Sequence, residues 1–166
     1  ILPSLYAHAG NCLYKLGKKR KAGQYFKKSH EIDPEDVDSY LIEGRMYMED
    51  GAFDKAVKKW ALALERAPYA DTWNEIGIYS MEFGQLNHAR MAFEHVKELE
   101  PDFENINEKL ASLYLLLKDK ENFQKYNQLC KRPFQLEDLK KIEEMLESED
   151  KEELAQAMKN ILNALQ

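Results

Sequence analysis

Three prolines, Pro34, Pro68 and Pro101, close three similar segment ends (EIDP, ERAP, ELEP) at spacings of 34 and 33 residues. The same residue types recur upstream of each. Before Pro34 stand Tyr6, Gly10, Gly17, Ala22 and Phe26. Before Pro68 stand Tyr40, Gly44, Tyr47, Gly51, Ala56, Trp60 and Ala63. Before Pro101 stand Trp73, Ile76, Gly77, Gly84, Ala89, Phe93 and Val96. A period of this length means stacked supersecondary units, each too small to bury its apolar face alone.

The spacing predicts two antiparallel helices per unit. The aromatic and the first glycine lie four apart, hence on one helix face. A glycine there lets the partner helix approach, which must offset about 1 kcal/mol of lost helix propensity. The second glycine (Gly17, Gly51, Gly84) falls in a turn, where positive φ is cheap. Alanine and an aromatic four later form the packing stripe of the second helix, and the residue before proline leaves the α region. Few glycines and prolines and almost no β-branched runs agree with an all-helical chain.

These units resemble the tetratricopeptide repeat, W-x2-L-G-x2-Y, then A-x3-F, then P. Repeats at 3–36, 37–69 and 70–103 carry the resemblance. Ala9 and Leu13, Glu43, and Ser80 depart from it. A worn fourth unit, 104–133, keeps Ala111 at the glycine position and Tyr114 at the tyrosine position. Phe123 replaces its small residue, and Pro133 comes early. The resemblance implies a right-handed α-solenoid of stacked helix pairs.

Residues 134–166 form a second region. Leu136, Leu139, Ile142, Met145 and Leu146 make one stripe, and Leu154, Ala157, Met158, Ile161 and Leu165 another. Ser148 or Asp150 can cap the second helix. We expect a C-terminal helical cap over the last repeat, with a dimerisation hairpin or acidic arm as the alternative. This region carries 4 basic and 9 acidic residues, against 20 and 21 in residues 1–133, so most of the net charge of −6 sits here.

That negative balance argues against a general nucleic-acid binder. The exception is Lys18–Lys28, with six basic residues in eleven positions. At 100° per residue, Ala22, Phe26 and Ser29 share one arc, while Arg20, Lys21, Lys27 and Lys28 share the opposite one. Lys55, Lys58 and Lys59, and then Arg90 and Lys97, do not continue the run in register. We read it as the solvated face of a helix, with a patch for anionic lipid, RNA or an acidic protein, or a nuclear-import signal, as the alternatives.

Nothing in the chain announces chemistry. His8, His30, His88 and His95 complete no ligand set, and no nucleophile elbow, phosphate-cradling loop or zinc-protease motif occurs. We expect no enzyme, cofactor or metal. Cys12 and Cys130 read as reduced, partly buried thiols, which fit a reducing compartment. No stretch reaches a membrane span. The chain opens with ILPSL and no initiator Met, as a processed chain or an excised piece would.

By the resemblance, first helices line a concave groove that takes peptides or partner helices. The lining positions are Asn11, Tyr14 and Lys15; Asp38, Leu41, Arg45, Met48 and Glu49; Asp71, Asn74, Ile78, Met81 and Glu82; and Glu108 and Ser112. Leu41, Met48, Ile78 and Met81 are expected to form a semi-exposed apolar strip among mostly acidic neighbours, suited to an apolar segment with positive charge. Family members that hold the acidic tails of heat-shock chaperones need Lys, Asn, Lys and Arg where Ala7, Ile42, Asp71 and Glu75 stand here. Only Asn11 matches, and two acids would repel such a ligand. The expected role is a protein-interaction scaffold or adaptor. Self-association, or service as an accessory segment of a larger enzyme or secretion protein, is the alternative.

Overall fold

The computed structural model describes residues 2–135 together with 137, 140, 141 and 144. The expected C-terminal cap falls outside these residues. The described elements are all helical: α1 (Pro3–Lys15), α2 (Lys19–Ile32), α3 (Val37–Glu49), α4 (Phe53–Arg66), α5 (Ala70–Glu82), α6 (Leu86–Leu99), α7 (Ile106–Leu116) and α8 (Lys120–Asn127). The chain divides into two compact units, one ending at Thr72 and the other beginning at Trp73. The fold class is a helical-repeat solenoid built of antiparallel helix pairs.

Glycine makes the turns within the first three pairs. Gly17, Gly51 and Gly84 adopt φ of +74°, +72° and +73°. At each, the glycine amide bonds three residues back and the next amide five back, as Gly17 to Tyr14 and Lys18 to Leu13. This satisfies helix-end carbonyls that would otherwise lack partners. The fourth pair makes the same turn without glycine: Lys118 takes φ of +59°, and the Lys118 and Asp119 amides bond to Leu115 and Tyr114. A lysine in that region is strained. The pair compensates with a side-chain cap, where Asp119 accepts from the Asn122 amide at 3.1 Å. At the far ends of α2, α4 and α6 the residues Asp33, Ala67 and Glu100 leave the helical region, each directly before a proline.

The second helices bury one repeated stripe: Ala22, Phe26 and Ser29 on α2, Ala56, Trp60 and Ala63 on α4, and Ala89, Phe93 and Val96 on α6. Each aromatic lies sixteen residues after the glycine that receives it. A Cβ at Gly44 would stand 2.2 Å from Trp60 Nε1, one at Gly77 2.4 Å from Phe93, and one at Gly10 3.1 Å from Phe26. The ring therefore occupies the space a side chain would need. In the fourth pair the sizes are exchanged. Ala111 faces a pair whose sixteenth residue is Asn127, and the large side chain is Phe123, buried where the other pairs hold alanine.

A buried hydroxyl chain also ties the first unit together. Ser29 Oγ donates to the Pro3 carbonyl at 2.6 Å and lies 2.6 Å from Ser39 Oγ. Ser39 in turn donates to Asp36. This buried hydroxyl chain ties the start of α1 to α2 and α3.

Candidate functional site

The residues expected to line an inner face lie as follows in the first unit. Asn11 and Tyr14 are half-buried on α1, and Lys15 is exposed beside them. Lys15 pairs with Glu49 at 3.4 Å, which joins α1 to the end of α3. Tyr14 donates to the Asp50 carboxylate at 2.5 Å, and Lys19 stands 3.5 Å from the same group. This hydrogen bond holds the Asp50 carboxyl below its ordinary range and pushes the Tyr14 phenol above its own. Asp38 and Asp71 are exposed, and Arg45 is half-buried. Asn11 Oδ1 is buried and has no hydrogen-bond partner among the described residues.

The apolar strip expected on this face is largely absent. Leu41, Met48 and Met81 are buried, and only Ile78 is half-buried. The physical reason is visible on α3, which also buries Ser39, Tyr40, Glu43, Gly44 and Met46. A first helix in an array is flanked as well as backed, so apolar side chains beside the core stripe are covered too. The polar residues remain as the presented chemistry of the first unit.

In the second unit, Asn74, Glu108 and Ser112 are buried and already engaged. Lys109 Nζ donates to Asn74 Oδ1 at 2.7 Å and lies 5.5 Å from the Phe103 ring centroid. Burial lowers the Lys109 pKa, against the pull of Glu104, Glu75 and Glu108. Glu108 Oε1 accepts the Lys131 amide at 2.9 Å, and Ser112 Oγ donates to the Glu108 carbonyl at 2.8 Å. Asn107 Nδ2 reaches the Leu129 carbonyl, and Asn127 Oδ1 accepts the Phe134 amide. The segment after α8 is thus held by Asn107 and Glu108 of α7 and by Asn127 of α8. Glu82 is half-buried and has interactions of its own.

A second polar cluster, absent from the sequence expectations, lies between the first two pairs. Glu43 stands where the repeat pattern has leucine, and it is buried at 6% exposure. Its Oε2 lies 2.9 Å from both His30 Nε2 and Lys59 Nζ. His30 stacks on Tyr40 at 4.1 Å, and the Arg66 guanidinium lies 4.5 Å from the Tyr40 centroid on α3. The seam joins α2, α3 and α4 beside an open cleft of about 360 Å³ lined by Phe26, Lys27, Glu31 and the three residues of the seam. A buried carboxylate bridged to a histidine and a lysine is a polar seam between repeats. The sequence signal for it is an acid at a core position, which requires buried counter-charges.

The basic run lies as the helical arc predicted. Lys18, Lys19, Arg20, Lys21, Lys27 and Lys28 are all exposed, while Ala22, Phe26 and Ser29 are buried. Both thiols are free, and of the two only Cys130 is partly buried as expected. Cys12 is exposed, whereas Cys130 is half-buried, donates to the Tyr126 carbonyl at 3.3 Å, and has its pKa pushed up to about 12 by burial. Among the described residues no group of three His, Cys, Asp or Glu could hold a metal ion, and no helix is long and apolar enough to cross a membrane.

Helix pairs closed by glycine turns and keyed by a glycine–aromatic contact give the chain the build of a helical-repeat array similar to tetratricopeptide repeats. Residues 3–36 match the tetratricopeptide repeat family directly. Over 102 residues, 60% of this chain, it is 30% identical to the Protein CTR9 homolog of Arabidopsis thaliana, of whose length it covers 9%. The solved structure of pilF from Pseudomonas aeruginosa shares the fold at a TM-score of 0.55 and 19% identity, covering 99% of this chain and 77% of that one. MamA AMB-1 aligns at a TM-score of 0.48 and 20% identity, covering 75% of this chain and 70% of MamA. The repeats support a protein-interaction scaffold as the general role.

Proposed function

We propose that the chain is a scaffold whose first unit holds an extended peptide along the inner face of α1 and α3. The observation that carries this reading is the orphaned, buried Oδ1 of Asn11. A buried acceptor left unpaired costs about 1–3 kcal/mol, and a peptide N–H that meets the Asn11 amide as this half-buried side chain turns outward would remove that cost. Lys15, Asp38, Arg45 and Glu49 share its face by repeat position, with Lys15 and Glu49 paired at 3.4 Å. With Leu41 and Met48 buried, recognition here is polar, and main-chain hydrogen bonding contributes more than an apolar anchor. Asp71, Asn74, Ile78, Met81, Glu82, Glu108 and Ser112 belong to the same repeat positions, but several of them serve internal contacts first. We assign the repeats to 3–36, 37–69, 70–103 and 104–133, with 134–166 as a cap or interaction region.

A peptide-display selection against the native chain tests this, with Asn11→Ala and Asp38→Lys plus Glu49→Lys variants run in parallel. Enriched peptides should lose binding to both variants. Peptides that bind the native chain and both variants equally would place recognition elsewhere.

A further inference from the structure

The first helix pair has a second face, turned away from α3. Ala7 and Tyr14 of α1 pack toward Met46, Ile42 and Tyr47 of the next pair. Half a turn around the helix lie Leu2, Leu5, Ala9, Cys12 and Leu16, spaced 3, 4, 3, 4. That is the a/d spacing of a helix seam, and it runs the length of α1. It is not covered: Leu2, Leu5 and Leu16 are 67%, 55% and 69% exposed, and Cys12 is exposed as well. Singly exposed leucines are ordinary, but an aligned stripe is not.

The border of this stripe has one sign of charge. On α2, Tyr25 and Lys28 flank the packing arc and reach Tyr6 of α1, and Lys21 shares their side of the helix by its spacing. Lys28 Nζ lies 4.8 Å from the Tyr6 ring centroid, and Tyr6 and Tyr25 are in contact at 5.9 Å. Residues 1–30 contain seven Lys or Arg and no Asp or Glu. A second copy meeting this face symmetrically would set lysine against lysine.

We propose that this face docks an amphipathic helix of a partner protein, with an apolar stripe on Leu2–Leu16 and an acidic flank along Lys21 and Lys28. The leucines supply the buried area and the lysines select the sign and direction of the incoming helix. The surface is separate from the inner face of α1 and α3, so it stands whether or not that face binds peptide.

The test uses two labelled synthetic helices with leucine at a and d, one with glutamate and one with lysine at e and g. Each is titrated with the full chain by fluorescence anisotropy. The glutamate helix should bind at least about tenfold more tightly, and added salt should narrow the gap. Leu5→Glu with Leu16→Glu should abolish binding, and Lys21→Glu with Lys28→Glu should reverse the preference. All four positions are exposed, so thermal melts should be unchanged. Absent or indiscriminate binding would overturn the proposal. So would a chain that sediments as a dimer and becomes monomeric in the leucine variant, which assigns the face to a second copy. Loss of binding when the chain is produced with whatever residues precede it in its reading frame would assign the face to those residues and overturn the proposal equally.

Discussion

Gly44→Ala adds one methyl group to the closest contact between α3 and α4. The new Cβ would sit 2.2 Å from Trp60 Nε1 and 2.4 Å from Cδ1, whereas ordinary contact begins near about 3.5 Å. The indole, 2% exposed, must retreat by about 1 Å into packed surroundings. Its hydrogen bond to the Leu41 carbonyl, 3.4 Å long, is lost in the move. Overpacking of this kind costs about 1–3 kcal/mol and the hydrogen bond about 1 more, while alanine returns about 1 through helix propensity. The expected net loss is about 2 kcal/mol. Gly77→Ala meets Phe93 at 2.4 Å and should lose nearly as much. Gly10→Ala meets Phe26 at 3.1 Å, where a shift of a few tenths of an ångström suffices, so propensity and crowding should cancel to within about 1 kcal/mol. Urea unfolding followed by tryptophan fluorescence measures all three. Trp60→Leu should recover part of the loss in the Gly44→Ala background but not in the native chain, a coupling of at least about 1 kcal/mol. Equal costs at Gly10 and Gly44, or a neutral Gly44→Ala, would refute the keyed contact.

Further outcomes follow from the same structure. Glu43→Ala strands His30 and Lys59 and should cost about 2 kcal/mol in urea unfolding, while Glu43→Leu, which restores the repeat's usual residue, should fall within about 1 kcal/mol of the native chain. Lys118→Gly relieves the positive φ of the fourth turn and should raise stability by about 1 kcal/mol, read from the same melts. Alkylation of the native chain should show a fast thiol, Cys12, and a slow one, Cys130, whose rate keeps climbing from about pH 8 to about pH 11, with both fast in urea. The folded Cys130 thiol keeps its proton up to about 12 while the unfolded one releases it near 9.0, so the folded state binds more protons in between. Stability should therefore fall across that alkaline window, and less so in Cys130→Ala.

The sequence carried the repeat because its signals are local. A glycine, an aromatic sixteen residues later and a turn glycine are each required by one helix pair alone, so they recur with the pair. The fourth unit was legible for the same reason, through Ala111, Tyr114 and the misplaced Phe123. The groove was not. Whether Leu41 or Met48 faces water depends on what flanks α3, and that helix buries side chains around much of its circumference, which leaves no clean stripe to read. The Glu43 seam was half legible. The acid at a core position was visible, but His30 and Lys59 lie thirteen residues before it and sixteen after, on other helices, and only the fold brings them together.

The sixteen-residue partnership also constrains how such a chain can change. Enlarging Gly44 first drives a methyl group into the indole. Shrinking Trp60 first opens a void against a bare backbone, at about 3–5 kcal/mol for loss of the whole ring. Both single steps descend, so a lineage drifting one substitution at a time is held at the pair. The fourth unit holds the alternative arrangement: Ala111 at the glycine position, Asn127 sixteen residues on, the bulk at Phe123, and the Asn127 amide oxygen accepting from the Phe134 backbone at 2.8 Å. A repeat that has exchanged its sizes in this way no longer offers the socket its siblings offer, and recombination that swaps helices between it and another unit would join two large side chains or two small ones.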